Sequence, residues 1–134
     1  MTYLILLIVF EAKHFLGDWI FQTSWMSNGK RLPWTPLSGW LAPLSAHCGI
    51  HALITMIILS VISLGFPEII SLLWIVALDF GTHFLMDRTK GYTDLLWQFS
   101  SHPVMFWVML VIDQTVHHSM NLFAVYKIGQ FLTK

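Results

Sequence analysis

Residues 79–87 read "DFGTHFLMD" and close the longer run "EIISLLWIVALDFGTHFLMD", residues 68–87. The first half of that run is apolar in the manner of a membrane helix. The second half carries Asp79, His83 and Asp87 at i, i+4 and i+8. On an α-helix this spacing stacks two carboxylates and an imidazole on one face, about one turn apart. Ionisable groups at membrane depth are costly and mark function by default. What this stripe faces therefore decides both fold and function.

The rest of the chain is equally apolar. Of its 134 residues, 56% are hydrophobic and 10% charged, and the mean hydropathy is +0.68. These values place the chain in the membrane class. A net charge of zero implies no nucleic-acid partner. The length suits one domain, residues 1–134. The single cysteine, Cys48, excludes an intrachain disulfide. The opening "MTYLILLIVF" has neither a basic leader nor a small-residue cleavage site, and is expected to stay as a helix.

A spanning helix needs about 20 mostly apolar residues. Four segments qualify, at about residues 2–22, 44–64, 68–87 and 103–126. The expected fold is all-α, a polytopic membrane protein built as an antiparallel bundle of four transmembrane helices. "LGFPE" (64–68) makes the tight turn between the second and third. "TSWMSNGKRLPWTPLSGWLAP" (23–43), with three prolines and three tryptophans, suits the headgroup layer, as does "RTKGYTDLLWQFSSH" (88–102) with Trp97. Threaded this way, the polar pairs of all four helices fall toward one side of the membrane. The loops of that side hold Lys30, Arg31, Arg88 and Lys90, against Lys127 and Lys134 on the other. The positive-inside tendency then makes the polar side cytoplasmic.

Three further stretches repeat the i, i+4 spacing: "HFLGD" (His14, Asp18), "HCGIH" (His47, His51) and "DQTVH" (Asp113, His117). Five imidazoles and four carboxylates facing lipid would not be tolerated. They must face the bundle interior and neutralise one another or bind a cation. His14, Asp18, His47, His51, His83, Asp87, Asp113 and His117 are the expected metal ligands or their hydrogen-bonding partners. The set suits one or two divalent ions such as Zn, Mn or Fe. A buried hydrogen-bond network that fixes packing, or a proton or ion path, would use the same residues. Cys48 reads as packing, and His102 and His118 as interfacial or lining residues. Glu11, Gln22 and Gln114 border the site. Lys30, Arg31, Arg88 and Lys90 are topology signals that also flank it, and they suit a phosphate.

Taken together, "HFLGDWIFQTSWMSNGK", "HCGIH", "DFGTHFLMDRTK" and "DQTVHH" resemble the bacterial and phage membrane-protein family catalogued as domain of unknown function 3307. The resemblance spans nearly the whole chain. It places His14, Asp18, Gln22, Lys30, His47, His51, His83, Asp87, Lys90, Asp113, Gln114 and His117 on the family's motif positions. It implies location in a bacterial inner membrane, or a host membrane if phage-encoded, and no particular reaction. The chain is more distantly similar to small membrane-bound metal-dependent hydrolases with H-x-x-x-D pairs.

That similarity favours a membrane metallohydrolase, with Asp79 as general base, Asp87 at the centre, and Lys30, Arg31, Arg88 and Lys90 holding a substrate phosphate. The expected substrate is amphiphilic, a phospholipid or polyprenyl phosphate. Three other classes stay open: a non-catalytic ion site, including a transport or proton path; a di-iron oxidase of lipid chains; and an accessory subunit whose polar network serves packing. The expected partners are the bilayer and a second copy or a larger membrane assembly.

Overall fold

A computed structural model describes residues 2–33, 35, 39–98 and 101–133, and every regular element among them is helical. Helix α1 (Thr2–Phe15) buries Leu6, Phe10, Lys13 and His14, a stripe at helical spacing. It widens at its end into a π turn, Leu16–Ile20, closed by the Phe21 N–H on the Leu16 carbonyl at 2.9 Å. The short α2 (Ser24–Gly29) starts where the Thr23 hydroxyl accepts from the Met26 N–H. Helix α3 (Leu41–Ser63) buries Leu44, His47, Cys48, His51, Thr55 and Leu59. A 3-10 segment (Pro67–Leu72) leads into α4 (Trp74–Trp97), which buries Ile75, Asp79, His83 and Asp87. Helix α5 (Pro103–Leu132) opens on a proline whose missing N–H falls in the first turn, and buries Asp113, His117, Asn121 and Ile128.

The buried stripes change character along the bundle. At one end Leu6, Phe10, Leu59, Ile69, Leu72, Ile75, Ala124, Val125 and Ile128 form an apolar core. At the other end the same stripes carry the histidines, aspartates and lysines. Early α1 meets late α5 (Tyr3 against Gly129), and early α3 meets late α4 (His47 against Asp87). Packed neighbours are therefore antiparallel, and four polar half-stripes converge.

The outside is apolar. Leu64 is 87% exposed and Trp19 76%, while Lys13, Asp79 and Asp87 are buried. That is the reverse of a water-soluble domain, in which fully buried Lys and Asp are rare. Two stretches, Leu41–Ser63 and Pro67–Trp97, are long and apolar enough to cross a membrane. Residues 2–20 and 103–132 are helical too. The π turn interrupts the first, and Asp113, Gln114, His117, His118 and Asn121 lower the hydropathy of the second.

The third expected span ends too early. The helix does not stop at Asp87 but runs ten residues on, through most of the stretch read as an interfacial loop. Gly91 is no breaker there, because the backbone of Lys30 and Arg31 packs against it. The helix ends instead at Gln98, which takes the left-handed conformation usual for a helix C-terminus, with φ 50°. The interfacial segment after the first helix contains α2, which its prolines did not suggest. Trp34 in that segment, and Lys134 used for orientation, lie outside the described residues.

A methyl group at Gly91 would stand 2.8 Å from the Lys30 carbonyl oxygen, whereas Gly49 and Gly81 face open space. Gly91→Ala should therefore destabilise the protein by about 1–3 kcal/mol. Gly49→Ala and Gly81→Ala should be neutral or stabilising, because alanine is the better helix former by about 1 kcal/mol. Unfolding midpoints in detergent check this, and equal midpoints for all three variants would contradict the close packing at Gly91.

Candidate metal centre

Five imidazoles from four helices meet in the polar half. His51, His83 and His117 form a stacked column, with ring centroids 3.7 and 4.2 Å apart. His14 stands beside it at 5.2–5.6 Å from all three, and His47 meets the edge of His51 at 4.8 Å. Close approach of α1 to α3 makes this possible. Any side chain at Gly17, in the π turn, would collide with the His51 ring. Wide turns of this kind recur at functional sites, where they re-aim side chains.

The four carboxylates enter from different directions. Asp79 accepts from the Lys13 ammonium at 2.5 Å and the Thr55 hydroxyl at 2.8 Å. Asp87 accepts from Lys30 at 2.9 Å on one oxygen and turns the other to His47 Nε2 at 3.0 Å. Asp113 accepts from Lys90 at 2.8 Å and from the Gln114 amide at 3.3 Å, with His117 Nδ1 at 3.8 Å. Three of the four thus stand between a lysine and a histidine.

Asp18 differs. Its oxygens lie 3.1 Å from His51 Nε2, 3.5 Å from His47 Nε2 and 3.3 Å from His14 Nε2. Among the described residues no lysine or arginine pairs with it. With the imidazoles counted neutral, the side chains touching the cluster carry four negative and three positive charges.

Two groups could hold a metal ion: Asp18, His47 and His51, and His14, His51 and His83. In each, one ligand atom per residue lies within 4.8 Å of the others. The oxygen–nitrogen separations around Asp18, 3.1–3.5 Å, match the edges of a coordination shell. Ligands held at about 2.1 Å are about 3.0 Å apart in an octahedron and about 3.4 Å apart in a tetrahedron. Each clustered imidazole also has a buried nitrogen without a hydrogen-bond partner: Nδ1 of His14, His47 and His51, Nε2 of His83, and both in His117. In His83 the arrangement is specific. Its Nδ1 is 2.9 Å from the Asp79 carbonyl, so Nδ1 carries the hydrogen and Nε2 keeps its lone pair. An imidazole so oriented from behind is the common form of a metal ligand.

The expected site residues are brought together to different extents. His14, Asp18, His47, His51 and His83 fall in two adjoining groups that share His51, with Asp87 against His47. His117 ends the stack, and Asp113 is one step farther out behind it. Asp79, expected as a base, has both oxygens occupied. Lys30, Arg31 and Lys90 line a cavity beside Asp87, but Arg88 does not. Arg88 donates to the carbonyls of Lys30 and Leu32 and lies 4.2 Å over Trp40, clasping the turn after α2 onto α4. Glu11 pairs with His118 at 2.6 Å and accepts from Asn121, whereas Gln114 bridges His14 and Asp113. Gln22 accepts from Lys30. Cys48 is buried and belongs to neither ligand group.

Lys13 is the residue that sequence reasoning missed. A lysine inside an apolar helix next to His14 requires a buried partner. Asp79, the carboxylate farthest along its stripe from the basic loops, was available to supply it.

The chain matches the family described as Protein of unknown function (DUF3307) over residues 4–134, and belongs to it. No curated protein and no solved structure matches.

Removing one member of the Lys13–Asp79 pair leaves a buried charge alone, at about 3–5 kcal/mol. Lys13→Met should therefore destabilise strongly. Adding Asp79→Asn should restore most of the loss, because the amide keeps the Thr55 contact without the charge. Unfolding of both single variants and the double variant in detergent tests this; additive losses would mean that the two groups do not compensate each other.

Proposed function

We propose that this protein is a four-span integral membrane metallohydrolase with one divalent ion centred on Asp18, acting on an amphiphilic phosphorylated substrate at the membrane interface. The observation that carries the reading is Asp18 itself: a carboxylate ringed by three imidazoles with, among the described residues, no lysine or arginine paired to it. An unmatched carboxylate in an apolar bundle calls for a cation. A second divalent ion would leave several positive charges in excess, whereas one leaves a single charge, which an anionic substrate offsets.

Four spans are supported by the exposed aromatics. Trp19, Trp25, Trp97 and Trp107 lie at the polar end of the bundle, and Tyr3, Trp74 and Tyr126 at the apolar end. Such rings favour the two interfaces of a bilayer. The basic residues bias the polar end toward the cytoplasm.

His14, Asp18, His47 and His51 would hold the ion, with His83 Nε2 as a further donor. A bound divalent ion of this type lowers the pKa of water and polarises a phosphoryl or acyl oxygen. Asp87 is better placed than Asp79 to accept the proton of an attacking water. It lines the cavity, and its Oδ2 faces the centre, 3.0 Å from His47 Nε2. Lys30 anchors the other oxygen and so aims Oδ2 toward the centre. Asp79, held by Lys13 and Thr55, orients His83 through its backbone carbonyl.

Metal analysis of protein purified in detergent without chelator tests the centre. Wild type should hold about one Zn, Mn or Fe ion per chain. Asp18→Asn and His51→Ala should lose it at least tenfold, Asp113→Asn should retain it, and Asp87→Asn should retain it with hydrolysis reduced about 10²–10⁴-fold. Negligible metal in wild type, or equal metal in wild type and Asp18→Asn, would overturn the proposal.

A further inference from the structure

We infer that the cavity beside Asp87 binds the phosphoryl headgroup of an amphiphile, with its apolar chain leaving past α5 into the bilayer. The inference extends the hydrolase reading and rests on it for the chemistry that follows binding.

Size is the first reason. The cavity measures about 120 Å³. Pockets that enclose whole small molecules measure about 300–1,000 Å³. A phosphoryl group fits a cavity of about 120 Å³.

Charge is the second. Lys30, Arg31 and Lys90 reach the cavity from two separate stretches of chain. Lys30 and Lys90 are anchored to Asp87 and Asp113. Arg31 is held only loosely, its guanidinium 4.0 Å from Asp94 and half exposed. It is the cation able to turn onto a phosphate, which its planar fork suits. Ser27 adds a neutral donor on the same wall.

The third reason is the remaining wall. Phe106 and Met109 of α5 close the cavity on one side, and Phe106 is exposed on the outside of the bundle. Next to it Trp107 is 61% exposed. An alkyl or prenyl chain attached to the headgroup would continue over this apolar surface, while Asp87 forms the floor between the headgroup and His47.

Calorimetric titration of the full chain in maltoside detergent, with metal content measured on the same samples, tests this. The probes are dodecyl phosphate and inorganic phosphate. Dodecyl phosphate should bind at least tenfold more tightly than inorganic phosphate. Arg31→Gln should weaken its binding at least tenfold and Ser27→Ala several-fold, while Lys127→Gln, at the far end of α5, should bind as wild type. Lys90 is left intact because it compensates Asp113. Equal binding by wild type and Arg31→Gln would overturn the headgroup site. Equal affinity for the two probes would overturn the amphiphile in favour of free phosphate. Loss of dodecyl phosphate binding with metal retained strikes only this inference, and retained binding without metal strikes only the metal centre.

Discussion

Three buried aspartates and the half-buried Asp18 lie among helices whose outer surfaces are apolar, and the structure is organised around keeping their charge compensated. An isolated carboxylate in such surroundings is prohibitively costly. Three have a lysine each, drawn from α1, from the turn after α2 and from α4. These pairs tie together segments far apart in sequence. Lys13–Asp79 joins α1 to α4 in the bundle interior, and Lys30–Asp87 fixes the turn after α2 over the polar end. The fourth aspartate, with only imidazoles around it, is where the pattern breaks and where the proposed ion belongs.

The surrounding fold serves that arrangement. The apolar half of the bundle packs without ionic groups and holds the four helices in register. In the polar half, Gly17 in the π turn lets His51 approach α1, and Gly91 lets the Lys30 turn settle on α4. Arg88 clasps the same turn from below. Small residues at close approaches and a long clasping arginine let the short segment after α1 become one wall of a cavity. The cavity thus lies at the polar end of the bundle, beside Asp87.

Much of this was legible in the sequence, for a definite reason. Repeated i, i+4 pairs of His and Asp on apolar helices have few compatible arrangements, and antiparallel threading brings all of them to one end. Membership of the centre was legible for His14, Asp18, His47, His51 and His83. The division of labour among the aspartates was not. It depends on which lysine reaches which carboxylate, and long flexible side chains do not announce their partners by spacing. Lys13 was hidden by its single-residue offset from His14, Arg88 by its place among basic residues that read as topology signals. The extension of α4 past Asp87 was masked by Gly91, which resembles a breaker until its neighbours are known.

The central claim is that one ion lies among imidazoles and Asp18, with the neighbouring thiol of Cys48 excluded. X-ray absorption at the metal edge, on protein loaded with one equivalent of zinc in detergent, tests it most directly. The account predicts a shell of nitrogen and oxygen only, at about 2.0–2.2 Å, with the outer-shell scattering of several imidazoles. A sulfur neighbour at about 2.3 Å, or a shell without imidazole scattering, would contradict it.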